Sequence, residues 1–212
     1  RILVAGASIA GLSAARELRR AGFEGTVQLV DRDPSPAYRR PAVSKGILTG
    51  SDDAAAIQMP WPEDLGLELL GGLELRHLDV ADRRLIAEDP NGDEIRLAFD
   101  GLVLATGSGA RSSPFAPALS GIHTLRSLDD AIELRQDLLR SGHLLIVGAG
   151  FIGLEVAASA HSLGLSVTVI EAAPEPLAHV VGSRLAGRLA EIHRARGIEV
   201  LCGSTVAKIE GV

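Results

Sequence analysis

Three glycines set the chemistry this chain can do. Gly148, Gly150 and Gly153 fall at the G-x-G-x-x-G spacing, directly after the apolar run Leu144 to Val147 and at the head of a helix-forming stretch. In a strand–turn–helix unit the first glycine makes the tight turn, the second lets backbone approach a pyrophosphate, and the third lets helix pack on strand. Unpaired N–H groups and the positive dipole end of the helix then hold a diphosphate without a lysine. Phe151 and Ile152 lie between the last two glycines and belong to the same cofactor-facing turn. A second apolar run, Leu165 to Ile170, ends on Glu171, close to the roughly 20-residue offset at which an acidic side chain meets ribose hydroxyls. Its charge repels a 2′-phosphate unless an arginine intervenes, and Ala172, Ala173, Pro174 and Glu175 follow instead, so NADH is the expected ligand.

The pattern occurs a second time at the start of the chain. An apolar strand runs into Gly6, Ser8, Ala10 and Gly11, a helical stretch follows to Gly22, and the run Thr26 to Val30 ends on Asp31 and Asp33. Serine at the second glycine position is small enough for a close phosphate and can donate to it, but it makes this copy less specific. Gly6-x-Ser8-x-Ala10 after a strand also resembles a hydrolase nucleophile elbow, which needs a core sheet laid down before it; here it follows the first strand. The bland alternative is that these glycines only end strands in some α/β fold.

The positioning elements are legible around these turns. Pro34 to Gly50 reads as a loop held stiff by Pro36 and Pro41 that runs into a short helix, with Arg40 and Lys45 as loop charges. Ser51 to Leu70 reads as a connector with helical pieces around Trp61. Leu73 to Leu85 and Glu94 to Leu104 read as strands around a turn at Pro90-Asn91-Gly92. Asp100 to Leu104 leads into the small-residue turn Ala105-Thr106-Gly107, and Ser108 to Gly121 reads as a crossover. Ser127 to Arg140 predicts a helix with Leu128, Ile132, Leu134 and Leu138 on its apolar face and Asp129 and Asp130 at its positive end. Ser183 to Arg196 predicts another, stopped by Gly197, and Ile198 to Leu201 and Val206 to Glu210 read as strands. The fold class expected is α/β, with two Rossmann-like three-layer nucleotide-binding domains at residues 1–111 and 112–212, the second incomplete.

Composition narrows the function classes. Over 212 residues the net charge is −6 and the arginines are scattered, which excludes a phosphate-backbone binder, so no nucleic acid is expected. Apolar residues make up 46%, ample for a core, yet the uncharged run Leu144 to Leu154 is far short of the ~18 residues of a membrane span. With no signal peptide at Arg1, a cytoplasmic protein off the membrane is expected. The six histidines form no ligand-like cluster, so no metal is expected. Cys202 is the only cysteine, which rules out an internal disulfide or a C-x-x-C redox pair and leaves it as inert core.

Tandem fingerprints with Ala105-Thr106-Gly107 and Arg111 between them resemble the flavoprotein pyridine nucleotide disulfide reductase superfamily, the FAD/NAD(P)-binding fold. Three segments are similar to its ferredoxin and rubredoxin reductases: Ala37-Tyr38-Arg39-Arg40-Pro41-Ala42-Val43-Ser44-Lys45, Thr124-Leu125-Arg126-Ser127-Leu128-Asp129-Asp130-Ala131, and Gly153-Leu154-Glu155-Val156-Ala157-Ala158. The resemblance implies FAD in the first unit and NADH in the second, with electrons passed through flavin to a ferredoxin or rubredoxin that serves an oxygenase. It also implies that Lys45 and Glu155 pair beside the flavin's reactive nitrogen as the catalytic residues. Arg40 and Arg111 are the cations expected near the FAD diphosphate, and Leu78 joins the FAD-side candidates. Either Asp31 or Asp33 serves the FAD ribose. Related branches place a cysteine after the first unit, where this chain has Ala42, Val43, Ser44 and Lys45, so electrons must leave the flavin directly. From the residues alone, Glu155 is only a carboxylate in the first turn of a helix, favoured by the dipole. Family chains go on to a Gly-Asp segment that returns to FAD and then to a further domain. Nothing here matches those parts, so the chain reads as truncated and as a weak holder of FAD. The rival readings are an NADH oxidase or quinone reductase of the same fold, and a catalytically silent nucleotide-binding module.

Overall fold

The computed structural model describes residues 1–34, 37–111 and 119–210. Two compact units emerge, the first made of Arg1–Tyr38 with Gln58–Ser108 and the second of Arg39–Ile57 with Gly109–Val212. Residues 39–57, expected with the first nucleotide unit, thus group with the second. The expected boundary at residue 112 lies outside the described residues, as do Pro36 and the middle of the Ser108–Gly121 crossover.

In the first unit, β1 (Ile2–Ala5), α1 (Ile9–Arg20) and β2 (Val27–Asp31) follow the first fingerprint. They join β3 (Leu67–Gly71) and β7 (Gly101–Leu104) in a parallel sheet of order β3-β2-β1-β7. β1 and β2 are the inner strands, and β1 is covered on both faces, so its run is apolar throughout. Val4 packs with Leu12 and Ala15 of α1 and with Val27 and Leu29 on one side. Leu3 and Ala5 pack with Val30 and Leu85 on the other, against a second sheet. That sheet is antiparallel, of order β4-β5-β6, built from β4 (Glu74–Asp79), β5 (Arg84–Glu88) and β6 (Glu94–Ala98). Helix, parallel sheet and antiparallel sheet make the three layers.

Several strand expectations need correction here. Leu73 to Leu85 is not one strand: it is β4, a turn with Arg83 at φ 49°, and the start of β5. Glu94 to Leu104 likewise divides into β6 and β7 in different sheets, with the Asp100 carboxylate bonded to the terminal amine of Arg1 at 2.7 Å where the chain switches. Apolar residues recur on both sides of each switch, and the pairing partner of each strand, which sequence spacing does not encode, decides where one strand ends and the next begins. The expected connector from Ser51 to Leu70 has only a 3-10 turn at Glu63–Leu65 and ends in β3, which pairs on β2. The turn at Pro90-Asn91-Gly92 stands as expected, with Gly92 at φ 87° and Asp89 N–H donating to Asp93 O at 3.0 Å.

The second unit opens with a 3-10 turn at Arg40–Ala42 and α2 (Gly46–Thr49), the short helix expected after the proline loop. α3 (Leu128–Leu138) begins on a capping box in which Ser127 accepts from Asp130 N–H while the Asp130 carboxylate accepts from Ser127 N–H. Ala131, Leu134 and Leu138 are buried on it, whereas Ile132, expected on the apolar face, is exposed. β8 (His143–Val147), α4 (Phe151–Ser162), β9 (Ser166–Glu171), α5 (Ala178–Val181), α6 (Ser183–Ala195) and β10 (Glu199–Cys202) complete it. Its sheet is parallel, of order β10-β9-β8. Val206 to Glu210, expected as a strand, has no regular structure. Cys202 is half-buried rather than core, with Sγ 3.9 Å from Arg194 Nη2. β8 sits at the sheet edge, and Leu145 and Val147, unlike the buried residues of β1, are exposed. No helix among the described residues is long and apolar enough to cross a membrane.

Candidate functional site

The two fingerprint turns share the same backbone bonds and the same acidic clamp. After β1, Gly6 takes φ 106° and donates its N–H to Val30 O at 2.7 Å; after β8, Gly148 takes φ 103° and donates to Ile170 O at 2.8 Å. A Cβ on Gly11 would lie 1.9 Å from Gly6 O, and one on Gly153 would lie 2.1 Å from Gly148 O, so the third glycine of each turn is required by the helix–turn approach. The acidic residue at the end of the second strand then reaches back to the turn. Asp31 Oδ2 accepts from Ala7 N–H at 2.6 Å and its Oδ1 from Asp33 N–H at 3.0 Å. Glu171 Oε2 accepts from Ala149 N–H at 2.7 Å and its Oε1 from Ala173 N–H at 2.8 Å. Of the two aspartates left open by sequence, Asp31 therefore occupies the place of Glu171, while Asp33 contributes its amide to that carboxylate. The amides of Ala7 and Ala149 are site elements that residue types did not reveal.

Both turns leave backbone available to an anion. Neither Ser8, the N-cap of α1, nor Gly150, the N-cap of α4, makes a side-chain cap bond, so the first-turn N–H groups of both helices have no partner from their cap. Ile9, Ala10, Phe151 and Ile152 are exposed around them. A Cβ on Gly148 or Gly150 would meet nothing within 4 Å, which leaves bare backbone facing outward. Amides, dipole and an adjacent carboxylate fit a nucleoside diphosphate with a free ribose diol. In the first unit Ala105 O backs Gly6, where a Cβ would lie 2.2 Å away; Thr106 and Gly107 are exposed beyond it, with Gly107 at φ 67°.

The catalytic pair expected from the resemblance is formed inside the second unit. Lys45 Nζ lies 2.7 Å from Glu155 Oε2, with the two side chains 50% and 34% exposed. Glu155 is not in the first turn of α4, which contains no acid, so the helix dipole is not what holds it. Its Oε2 instead accepts from Ser44 Oγ at 2.5 Å, and the buried Ser159 hydroxyl donates to Ser44 O at 2.7 Å. Sequence reading missed Ser44 and Ser159, although the i, i+4 spacing of Glu155 and Ser159 was the available signal, since it puts both on one helix face. Arg40 and the exposed Arg111 both belong to the second unit rather than the first, and Arg40 Nη1 donates to Arg126 O at 3.3 Å. Leu78 packs into the core beside Leu3, Ala5, Val30 and Leu85, so its side chain serves the layers of the first unit.

Two tandem units, each with a clamped glycine turn, define the class of proteins that carry two dinucleotide-binding folds in one chain. The chain belongs to the pyridine nucleotide-disulphide oxidoreductase family, whose model matches residues 1–212. It is 38% identical over 214 residues to the biphenyl dioxygenase system ferredoxin–NAD(+) reductase component of Paraburkholderia xenovorans (strain LB400), covering 99% of this chain and 51% of that one. It is 36% identical over 213 residues to the chlorobenzene dioxygenase ferredoxin reductase component of Cupriavidus sp. (strain PS12), with 99% and 51% covered. Among solved structures, a ferredoxin reductase for the CYP199A2 system from Rhodopseudomonas palustris superposes with a TM-score of 0.90 at 32% identity, over 100% of this chain and 52% of the other. The chain thus spans about half the length of these relatives, 51% of each curated one.

Proposed function

We propose that the chain is the nucleotide-binding part of an FAD-dependent oxidoreductase that takes electrons from NADH and delivers them to a ferredoxin or rubredoxin serving an oxygenase. The observation that carries this reading is the Lys45–Glu155 ion pair at 2.7 Å, formed where disulfide-using relatives would carry a cysteine, in a chain whose only cysteine is the distant Cys202. When bound, FAD supplies the ability to accept two electrons from NADH and to release them singly. The remaining work belongs to the chain's own residues. The amides around Gly148, Gly150 and Gly153 bind the NADH diphosphate, and Glu171 accepts from the ribose hydroxyls while its charge repels a 2′-phosphate. Gly6, Ser8, Ala10, Gly11 and Asp31 do the same for FAD. Lys45 presents its ammonium, and Glu155 pairs with it at 2.7 Å.

The test is the visible absorption of the purified protein with FAD added, before and after anaerobic NADH, followed by addition of an oxidised ferredoxin. The expected outcome is flavin that bleaches with NADH and recovers on ferredoxin addition, with NADPH much less effective. Flavin that bleaches but recovers only with oxygen or a quinone would replace the acceptor. Flavin that never bleaches while NADH binds would leave a silent nucleotide-binding module.

A further inference from the structure

A half-exposed lysine on a four-carbon stem does not by itself hold a carboxylate still. Exposed ion pairs are screened by water and leave both side chains free to change rotamer. Yet Glu155 Oε2 receives a second donor of a different kind, the hydroxyl of Ser44 at 2.5 Å, and Ser44 is only 2% exposed. Buried, charge-assisted hydrogen bonds of this sort are short and directional. Ser44 is in turn anchored to the same helix one turn further on, because Ser159 Oγ donates to its carbonyl at 2.7 Å. Residues 155 and 159 share a face of α4, so Ser44 grips that face at two points, through its hydroxyl and through its carbonyl. Lys45 is the next residue along, and its Nζ also donates to Pro41 O at 3.1 Å.

We infer that Ser44 is a positioning residue for the proposed hydride transfer, fixing the Glu155 carboxylate and, through it, the Lys45 ammonium as one rigid unit on α4. Both donors converge on Oε2, and among the described residues Oε1 meets none, so one edge of the carboxylate is pinned and the other is unclaimed. The inference rests on the reading of this site as an NADH-to-flavin reductase, but the geometry it invokes is a property of the protein before any cofactor binds.

The experiment compares Ser44→Ala, Ser44→Cys and Ser44→Thr in two measurements. In the FAD-loaded protein, stopped-flow reduction by NADH should slow about tenfold in Ser44→Ala and Ser44→Cys with the NADH dissociation constant unchanged, as expected for loss of a hydrogen bond to a charged group. Ser44→Thr, which keeps the hydroxyl, should recover most of the rate. Ser44→Cys is nearly isosteric, so it reports on the donor even if Ser44→Ala loosens the packing. In crystals of the cofactor-free protein, Glu155 should occupy a single rotamer in the wild type and more than one in Ser44→Cys. Wild-type rates in Ser44→Cys with an unmoved Glu155 would overturn the inference, as would equal slowing in Ser44→Thr. If wild-type flavin is not reduced by NADH at all, the functional reading fails, and the crystallographic arm still decides whether Ser44 positions the pair.

Discussion

Under the proposed function, Glu171 does two jobs with one carboxylate. Both its oxygens already accept backbone amides, from Ala149 and Ala173, before any ribose arrives. Replacing it therefore changes the fold and the ligand preference together. Glu171→Arg should reduce the preference for NADH over NADPH by at least about tenfold, and should also cost roughly 1–3 kcal/mol of stability because two partly buried amides lose their acceptor. Parallel titrations with the two nucleotides and urea unfolding of the same variant check both halves; unchanged preference with lowered stability would leave Glu171 a turn anchor only. Lys45 should behave the other way round. Its ion pair is too exposed to stabilise by more than about 1 kcal/mol, so Lys45→Ala should leave the melting curve nearly in place while flavin reduction slows. A rate equal to wild type would remove Lys45 from the reacting site.

At the scale of elements, the equivalent glycines should not be equally sensitive. Gly6 and Gly148 share a left-handed conformation, so an alanine at either is strained by about 1–3 kcal/mol. Gly6→Ala carries a further cost, because its Cβ would meet Ala105 O at 2.2 Å, whereas at Gly148 the space is open. Denaturant unfolding should therefore show Gly6→Ala as clearly the more destabilised, and equal losses would mean that Ala105, just after β7, does not constrain the first turn. α3 offers a pH test. The guanidinium of Arg140, and after it His123 at 2.7 Å, hold the Asp137 carboxyl below its ordinary value of 3.8. A depressed carboxyl stabilises the fold above that ordinary value, and the contribution is lost as pH falls through the lowered one. The melting temperatures of wild type and Asp137→Asn should differ at neutral pH and converge in acid. A gap that persists there would assign the difference to packing.

For the molecule as a whole, what could be read from sequence was what depends on local spacing. The two glycine turns, the strands and helices beside them, the terminal acids and the acidic first turn of α3 follow from short-range patterns, and they stand where those patterns put them. What could not be read was decided by pairing at long range. β3 is a strand because β2 offers it an edge, and Leu78 is core because Leu85 and Val30 lie beside it. Residues 39–57 join the second unit because Ser44 bonds to Glu155 and Ser159, more than a hundred residues away in the chain. Asp31 was separable from Asp33 only once the Ala7 amide had a position. Proteins that share this turn face an evolutionary constraint through it. On the proposed reading, a lineage that changes its nucleotide preference at Glu171 also loosens the tie between its own loop and its own strand, so each such step draws on the stability held elsewhere in the fold, and a substitute anchor for the Ala149 amide restores it.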